Sequence, residues 1–367
     1  MVKIDTDKIL GKDDMAKAAS SGMDFTEKTR SASFLQKDND VLFSRSLQCG
    51  IEIMRIEEAL EKKKNMRKYY GKAFKALNKE YPQNTNGGYF IRVKKGHTVE
   101  LPIQACLFLK KQGFKQKVHN VIIVEAGAKA YIITGCAASR AAEESFHLGI
   151  SEFYVQKGGY LNFTMIHSWK KDISARPMSI AFVDENASFI SNYVCLKPVK
   201  EIVMYPTAVL QGEHARASFN SLILSHPKTL QDIGARVIFQ KENTQAEIIS
   251  RAVSLGGKVV ARGDLKAVAK NVKAHLECRG LVVSERGAIH AIPELETVFR
   301  DVDLSHEAAI GKISKEEIEY LSSRGMTAEE AQSIIIRGFM DVNILALPEA
   351  LKKEIKELEE KTLKGSF

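Results

Sequence analysis

The sequence has few cysteines, and none are paired at a metal-binding or redox spacing. Its 367 residues contain no Cys-x-x-Cys motif, which excludes a zinc ribbon and a thioredoxin-like site. An odd number of widely spaced cysteines is typical of free thiols in a reducing cytosol, so we expect a cytoplasmic protein. The five are Cys49, Cys106, Cys136, Cys195 and Cys278.

Long apolar runs and a strong excess of one charge are also missing. No stretch approaches the ~20 apolar residues of a membrane span, and the first residues, Met1–Asp5, lead into a charged segment without an apolar secretion signal. The net charge is +9, from 54 basic and 45 acidic residues that are interspersed. The densest basic run, Lys62–Lys64, is typical of a solvated helix face, and no basic patch is interleaved with aromatics. We expect neither a membrane nor a nucleic acid as partner.

The phosphate-binding loop of ATPases is absent as well. Gly256-Gly257-Lys258 is followed by valine instead of the hydroxyl residue that Mg²⁺ requires. The chain is therefore expected not to hydrolyse ATP, and its β-rich segment has no catalytic signature of its own. Both observations favour a non-enzymatic role.

The periodicity of apolar residues divides the chain into three regions. Apolar residues recur every three or four positions from Ile56 to Leu77, which predicts an amphipathic helix within an N-terminal helical region, 1–88. Short strands with Gly, Asn or Asp turns follow over 89–300 and favour a sandwich, a barrel or a β-solenoid. No strict repeat is visible that would select the solenoid.

The third region, 301–367, is predicted to be a C-terminal helical domain. Ser314 with Glu317, and Thr327 with Glu330, are capping boxes that open two short helices. Gly325 ends the first of these helices, and a last helix rich in Glu/Lys pairs is expected after Pro348. The two short helices outside the β core are interpreted as a docking element.

Three residues near the boundary of the last two regions have side chains that bind iron. They are the thiol of Cys278, the imidazole of His306 and the carboxylate of Glu307. From chemistry alone, a lone cysteine after a strand is more often a small buried hydrophobic residue. Since His306 and Glu307 are adjacent, they would face opposite sides of a strand; alternatively, Ser305 caps a helix there.

Several stretches together resemble the SufB/SufD family of iron–sulfur cluster assembly proteins. The most specific block joins Ser-His-Glu-Ala-Ala-Ile-Gly at 305–311 to 320–326, in the order of the family. The resemblance covers roughly residues 90–340. Further matching stretches are 163–169, 205–206, 210–213, 291–296, Ala331 and 338–339.

This resemblance implies a mainly β fold, a right-handed parallel β-helix core with N-terminal and C-terminal helical segments. It implies a scaffold on which a transient iron–sulfur cluster is built at a dimer interface, in a complex with SufC, an ABC-type ATPase. The dimer would be a homodimer or a SufB/SufD-type heterodimer, and the resemblance leaves the participation of a flavin open.

The resemblance also assigns residues. Cys278 matches the cluster-site thiol, and His306–Glu307 matches the pair of SufB-like members, so the chain looks like a compact SufB-like protein that forms a homodimer. Sulfur acceptance needs a thiolate, and the neighbouring Arg279 and His275 are candidates for lowering the pKa of Cys278.

Two further sets of candidates follow from the resemblance. A polar residue and a tryptophan line a proposed sulfur route inside the β-helix in the family, and burial in the core is the alternative. The ATPase-docking face is the second set, with packing on the β core as its alternative. The route candidates are His167, Trp169 and Cys195; the docking candidates are Leu321, Arg324, Gly325, Ile334 and Phe339.

Two other functions stay open. One is a SufD-like structural partner without its own cluster. The other is a β-solenoid carbohydrate-active protein, which usually needs paired carboxylates on an exposed face. The acidic pairs Asp184-Glu185 and Asp301/Asp303 are more typical of turns.

Overall fold

The computed structural model describes residues 10–26, 28–63 and 65–340, with the single positions 343, 353, 356, 357 and 360. Strands account for 50% of the chain and helices for 14%, which confirms a mainly β fold with helices at the termini. The helix expected after Pro348 lies outside the described residues. Within the described part, no helix is long and apolar enough to cross a membrane.

Five helices and twenty-one strands form the described chain. The helices are α1 Lys12–Ala19, α2 Ile56–Lys62, α3 Lys72–Ala76, α4 Lys315–Ser322 and α5 Ala328–Phe339, with a 3₁₀ turn at Met66–Lys68. The strands are β1 Ala32–Lys37, β2 Asp40–Ser46, β3 Ile51–Arg55, β4 Tyr89–Val93, β5 Ile103–Leu109, β6 Lys115–Val124, β7 Lys129–Ala138, β8 Phe146–Val155, β9 Tyr160–Ser168, β10 Ser174–Ala175, β11 Met178–Val183, β12 Ser188–Cys195, β13 Glu201–Met204, β14 Thr207–Leu210, β15 Arg216–Ser225, β16 Leu230–Phe239, β17 Gln245–Ser254, β18 Lys258–Ala267, β19 Val272–Val282, β20 Ala288–Thr297 and β21 Val302–Lys312.

Two sheets enclose a common core. Sheet A has the order β2-β1-β5-β7-β9-β12-β15-β17-β19-β21. Sheet B runs β3-β4-β6-β8-β11-β14-β16 and continues through β18 to β20, while β10 and β13 connect β8 to β16. From β5 onward the chain passes alternately from one sheet to the other, and these strands pair in parallel. The molecule is a parallel β-helix of about 8 turns, which selects the solenoid among the three predicted β architectures.

A turn before six consecutive strands of sheet A, β7, β9, β12, β15, β17 and β19, is the repeating unit that the sequence does not show by eye. One residue of this turn has a positive φ, which glycine and asparagine tolerate best, and the next residue is buried. The spacing between successive turns is 28 to 31 residues. The left-handed residues are Gly127, Gly158, Asn186, His214, Asn243 and Asn271.

Inward side chains of both sheets form one continuous core. Aromatic rings stack along its axis, with centroid distances of 4.7 Å between Phe153 and Phe163 and 5.2 Å between Phe153 and Phe189. Phe219 extends the stack at 5.9 Å from Phe189. Such contacts between successive coils add to the stabilisation from apolar burial.

The N-terminal region is only partly helical, so the prediction for 1–88 is wrong between Ala32 and Arg55. β1 and β2 extend sheet A there and pair with each other in antiparallel orientation. β3 extends sheet B by antiparallel pairing with β4. The helix predicted from Ile56 to Leu77 is divided into α2, a 3₁₀ turn and α3, because Lys63 is extended and Gly71 adopts a φ of 74°. The apolar periodicity reflects a buried face, since the apolar side chains of these short helices pack on the outer face of sheet B.

The β-helix also continues beyond the boundary predicted at residue 300. β21 pairs with β19 as the last strand of sheet A, and its exposed residues lack the apolar alternation that identifies a strand. The helices begin only after it. Both predicted capping boxes are present: Ser314 accepts from the Glu317 N–H at 3.1 Å, and Thr327 from the Glu330 N–H at 3.2 Å.

Candidate functional site

Cys278 lies in β19, one strand from the end of sheet A. Its side chain is 3% exposed and packs in the core beside Leu276. Because successive residues of a strand point to opposite faces, His275, Glu277 and Arg279 lie on the outer face. The thiol that the resemblance assigns to the cluster therefore points into the β-helix.

The terminal strand β21 places His306 and Glu307 on opposite faces. His306 is the register partner of the inward-facing Leu276, and Glu307 is the partner of the outward-facing Glu277. Paired residues on adjacent strands share a face. Within one chain, His306 is thus on the same face as Cys278, whereas Glu307 is on the other.

The environment of Cys278 disfavours its thiolate. Burial raises the pKa of the thiol to about 11, and the negative charge of Glu277 acts in the same direction. The thiolate is the form that attacks sulfur and binds metals. The expectation that Arg279 and His275 lower this pKa is wrong, because both side chains lie on the outer face.

Three potential metal ligands converge on that outer face. The ligand atoms of His275, Glu277 and Glu307 all lie within 4.8 Å of one another. The Arg279 guanidinium lies between the two carboxylates, 3.2 Å from Glu277 and 3.5 Å from Glu307. Arg251 forms a second ion pair with Glu277, in which both side chains are largely buried.

Inside the β-helix, two thiols flank an imidazole. Cys136, His167 and Cys195 are register partners on β7, β9 and β12, so they form one inward ladder. His167 Nδ1 is 3.0 Å from the Tyr193 hydroxyl. His147 Nε2 approaches Cys136 Sγ at 4.0 Å.

The single tryptophan packs against both of these imidazoles. The Trp169 ring centroid is 5.3 Å from that of His167 and 5.2 Å from that of His147. Burial lowers the pKa of His147 to about 4 and that of His167 well below its usual range, so both rings are neutral at pH 7. His167 Nε2 and Trp169 Nε1 are buried without a hydrogen-bond partner among the described residues, so each can bind a small polar guest.

A second inward ladder connects this group to Cys278. Tyr193, Ser221, Ser250 and Cys278 are successive register partners on β12, β15, β17 and β19. Ser221 Oγ donates a hydrogen bond to Ser250 Oγ at 3.1 Å. Tyr193, Ser221 and Ser250 also line a cavity of about 40 Å³. Three strand spacings of ~4.8 Å separate Tyr193 from Cys278.

The docking candidates on α5 divide between the two sides of that helix. Ile336 and Met340 are buried against the outer face of sheet A, and Phe339 packs partly buried at the same contact. Ile334 is 38% exposed on the other side. For Phe339, packing on the β core is therefore the better interpretation than direct contact with an ATPase.

The candidates on and after α4 lie at the surface. This helix has no buried residue, and Leu321 is half-buried beside α5. Arg324 and Gly325 follow in an exposed turn, where Gly325 has a φ of 93°. The Arg324 guanidinium lies 5.1 Å from the Tyr320 ring centroid, and the Tyr320 side chain is itself exposed.

The last coil of the β-helix exposes apolar side chains. Among the described residues, β20 pairs only with β18 and β21 only with β19, so each sheet ends in a free edge here. Unprotected edges of this kind are templates for pairing with another chain. The exposed apolar residues on or beside these strands are Ile292, Leu295, Val298 and Ile310.

Sequence reasoning missed Glu277, His147 and Tyr193 as residues of these clusters. Glu277 lies two positions from His275, a spacing that puts both on one face of a strand. Its contact with Glu307, however, depends on the register between β19 and β21. His147 and Tyr193 belong to no motif, and only the winding of the chain brings them beside His167.

The fold and the site define a class of protein: a parallel β-helix with thiols and imidazoles inside and an open terminal coil. Residues 107–339 match the family model described as SUF system FeS cluster assembly, SufBD core domain. The chain belongs to the SufBD family of iron–sulfur cluster assembly proteins.

Similar proteins span most of the chain. An iron–sulfur cluster assembly SufBD family protein of Archaeoglobus fulgidus is 46% identical over 91% of this chain and 91% of its own length. One of Methanothermobacter thermautotrophicus is 40% identical over 94% of this chain and 86% of its own. Iron–sulfur cluster assembly protein SufB of Bacillus subtilis is 32% identical over 77% of this chain and 61% of its own.

Of the two acidic pairs, Asp184-Glu185 lies at a turn, whereas Asp303 lies in β21, so its interpretation as a turn residue is wrong. Asp184 accepts a hydrogen bond from Gln211 at 2.6 Å, and Glu185 pairs with Lys157 at 2.8 Å. These contacts agree with their interpretation as turn residues and give no support to glycoside hydrolysis.

Proposed function

We propose that this chain is a cytoplasmic, non-enzymatic scaffold on which an iron–sulfur cluster is built, with Cys278 as the thiol that receives sulfur and binds the nascent cluster. The observation that supports this most is the inward ladder from Tyr193 to Cys278. It connects a buried group of thiols and neutral imidazoles to a thiol one strand from the open end. Iron and sulfur are the cargo of this site.

Sulfur would travel inside the β-helix along that ladder. His167, Trp169 and Cys195 lie beside Tyr193, where this ladder begins. The hydroxyl of Ser221 donates a hydrogen bond to that of Ser250 between neighbouring coils. In such a transfer the accepting thiolate attacks the outer sulfur of a persulfide on the donor cysteine, and the donor leaves as a thiolate. Because burial also raises the pKa of Cys195 to about 11, forming the attacking thiolate needs a base or an opening of the coil.

The cluster site would be completed by a second copy of this chain at the open terminal coil. Cys278 and His306 face the interior there, whereas Glu307 faces out. Joint use of all three as ligands therefore requires residues from two subunits or a displacement of β21. The free edges and the exposed Val298 and Ile310 favour self-association at this end.

A SufC-like ABC ATPase would bind the exposed side of the C-terminal helices. This side presents Leu321, Arg324, Gly325 and Ile334. Phe339 packs on sheet A and holds α5 in place there. α4 follows β21 after two residues, so a movement of the helices driven by nucleotide binding would act directly on the terminal strand.

Anaerobic reconstitution with iron and sulfide, with and without a SufC-like ATPase, tests the scaffold role. We expect visible and Mössbauer spectra of a cluster on the wild type, loss of the cluster in Cys278→Ala, and retention in the matched buried-thiol control Cys106→Ala. Undiminished cluster formation in Cys278→Ala would reject the thiol assignment and move the chain to the SufD-like structural role.

A further inference from the structure

Two carboxylates lie directly side by side on the outer face of sheet A. Glu277 and Glu307 are register partners on adjacent parallel strands, which places their Cβ atoms about 5 Å apart. Like charges in this arrangement destabilise a sheet unless a cation lies between them. The two carboxylates can therefore remain side by side only because cationic groups contact them.

An imidazole is aimed at the same position. His275 precedes Glu277 by two residues and so shares its face. Its Nδ1 is 2.9 Å from Ser305 Oγ, the register partner on β21. When Nδ1–H donates to this hydroxyl, the lone pair is on Nε2, which is how metal-binding histidines are usually oriented.

In the structure a cation already lies between the carboxylates. Arg279 contacts both Glu277 and Glu307, at 3.2 Å and 3.5 Å, and its side chain is 44% exposed. Glu277 keeps a second, largely buried partner in Arg251 if Arg279 leaves. This partly exposed guanidinium can therefore be exchanged for another cation without leaving Glu277 unpaired.

The site is open to solvent and separate from the thiol. A groove of about 620 Å³ follows the outer face of sheet A, and His275 and Ser305 are part of its lining. Cys278 points to the opposite side of the same strand and is 3% exposed. The donor set contains one imidazole and two carboxylates, which suits Fe²⁺, Mn²⁺ or Zn²⁺ better than the soft metals that prefer thiolates.

We propose that His275, Glu277 and Glu307 bind one divalent metal ion, Fe²⁺ in the cell, and that Arg279 is the cation which this ion displaces. The proposal that these residues bind a metal ion is argued only from the positions of their side chains. Its use as iron supply for the cluster rests on the proposed function.

Anaerobic titration of the full chain with Co²⁺ alone, a spectroscopic probe for Fe²⁺, tests this site. We expect one Co²⁺ per chain with visible ligand-field bands, and competition by Fe²⁺. His275→Ala and Glu277→Gln should each weaken binding at least tenfold. Arg279→Gln should strengthen it, because the competing cation is removed.

Two controls separate this site from its surroundings. Glu296→Gln removes an exposed carboxylate of β20 in sheet B, where it pairs with Lys266, and should change the affinity less than threefold; circular dichroism confirms the fold of each variant. Cys278→Ala should abolish the reconstituted cluster and leave Co²⁺ binding intact. Failure of reconstitution with Co²⁺ binding intact would reject the scaffold and keep the metal site.

The opposite results would overturn the assignment. Equal Co²⁺ affinity of wild type, His275→Ala and Glu277→Gln would show that the residues form an ion-pair network only. Loss of Co²⁺ in Cys278→Ala would assign the ion to the thiol site, and unchanged or weaker binding in Arg279→Gln would reject the exchange.

Discussion

At the scale of single residues, the alternating direction of strand side chains decides the chemistry. Neighbours in sequence, Glu277 and Cys278, lie on opposite faces of sheet A. One is a largely buried carboxylate paired with Arg251, and the other is a thiol held protonated by burial. A cysteine with this pKa is protected from oxidation in the isolated chain and must be activated before it accepts sulfur.

The first prediction concerns the reactivity of Cys278. Since its pKa is raised to about 11, its thiolate fraction at pH 8 is about one in a thousand. Alkylation by iodoacetamide, followed by mass spectrometry of the peptide, should accelerate about tenfold per pH unit from pH 8 to pH 10.

An internal reference and one variant control this measurement. Cys49 is exposed and serves as the internal reference for a thiol without steric protection. Glu277→Gln removes the negative charge beside Cys278, lowers its pKa and should increase its rate at pH 8. A rate that levels off below pH 9 would contradict a raised pKa.

At the scale of elements, α5 is a two-sided helix. One side is buried on sheet A through Ile336 and Met340, and the other exposes Ile334. Its capping box, Thr327 with Glu330, fixes where the helix begins. The helix can therefore be attached to the β-helix and still present a surface to a partner.

The second prediction separates these sides by stability. Ile336→Ala leaves a cavity at a fully buried position and should lower the free energy of unfolding by roughly 2–5 kcal/mol. The matched variant Ile334→Ala should stay within about 0.5 kcal/mol of the wild type. Urea unfolding followed by circular dichroism measures both, and equal effects would contradict the two-sided packing.

The third prediction concerns partner binding by the same helix. Ile334→Asp should abolish co-purification of a SufC-like ATPase while the urea midpoint changes little. Retained binding in Ile334→Asp combined with Leu321→Asp would place the ATPase elsewhere.

At the scale of the whole molecule, the two ends of the β-helix differ. The first coils have α1, α2 and α3 packed on their outer faces, and the antiparallel strands β2 and β3 end the two sheets. The last coil ends in free strand edges and exposed apolar residues within the described chain. Pairing of two copies through this last coil about a two-fold axis would give a closed dimer rather than an extended fibre.

The fourth prediction tests this pairing. Sedimentation velocity should show a dimer for the wild type, and Ile310→Glu should weaken dimerisation at least tenfold, because a charge replaces an apolar contact at the open end. Leu230→Glu, an equally exposed apolar position in the middle of sheet B, should leave the dimer intact. A monomeric wild type would exclude the homodimer and favour a heterodimer.

The sequence by itself determined much of the local structure. The capping boxes at Ser314 and Thr327 and the C-terminal Gly325 depend on side chains within a few residues, and all three were predicted correctly. The prediction of short strands separated by turns from residue 89 onward was also correct. The block from 305 to 339 was sufficient to identify the family.

Only the tertiary structure decided which of these residues meet. The coils differ by a few residues in length, so the partners of Cys278 and Glu307 follow from the register of β19 and β21 and not from any fixed sequence spacing. The same register brings His275, Glu277 and Glu307 together and separates them from Cys278. Local patterns state which way a side chain points relative to its neighbours, whereas the winding of the chain determines what it faces.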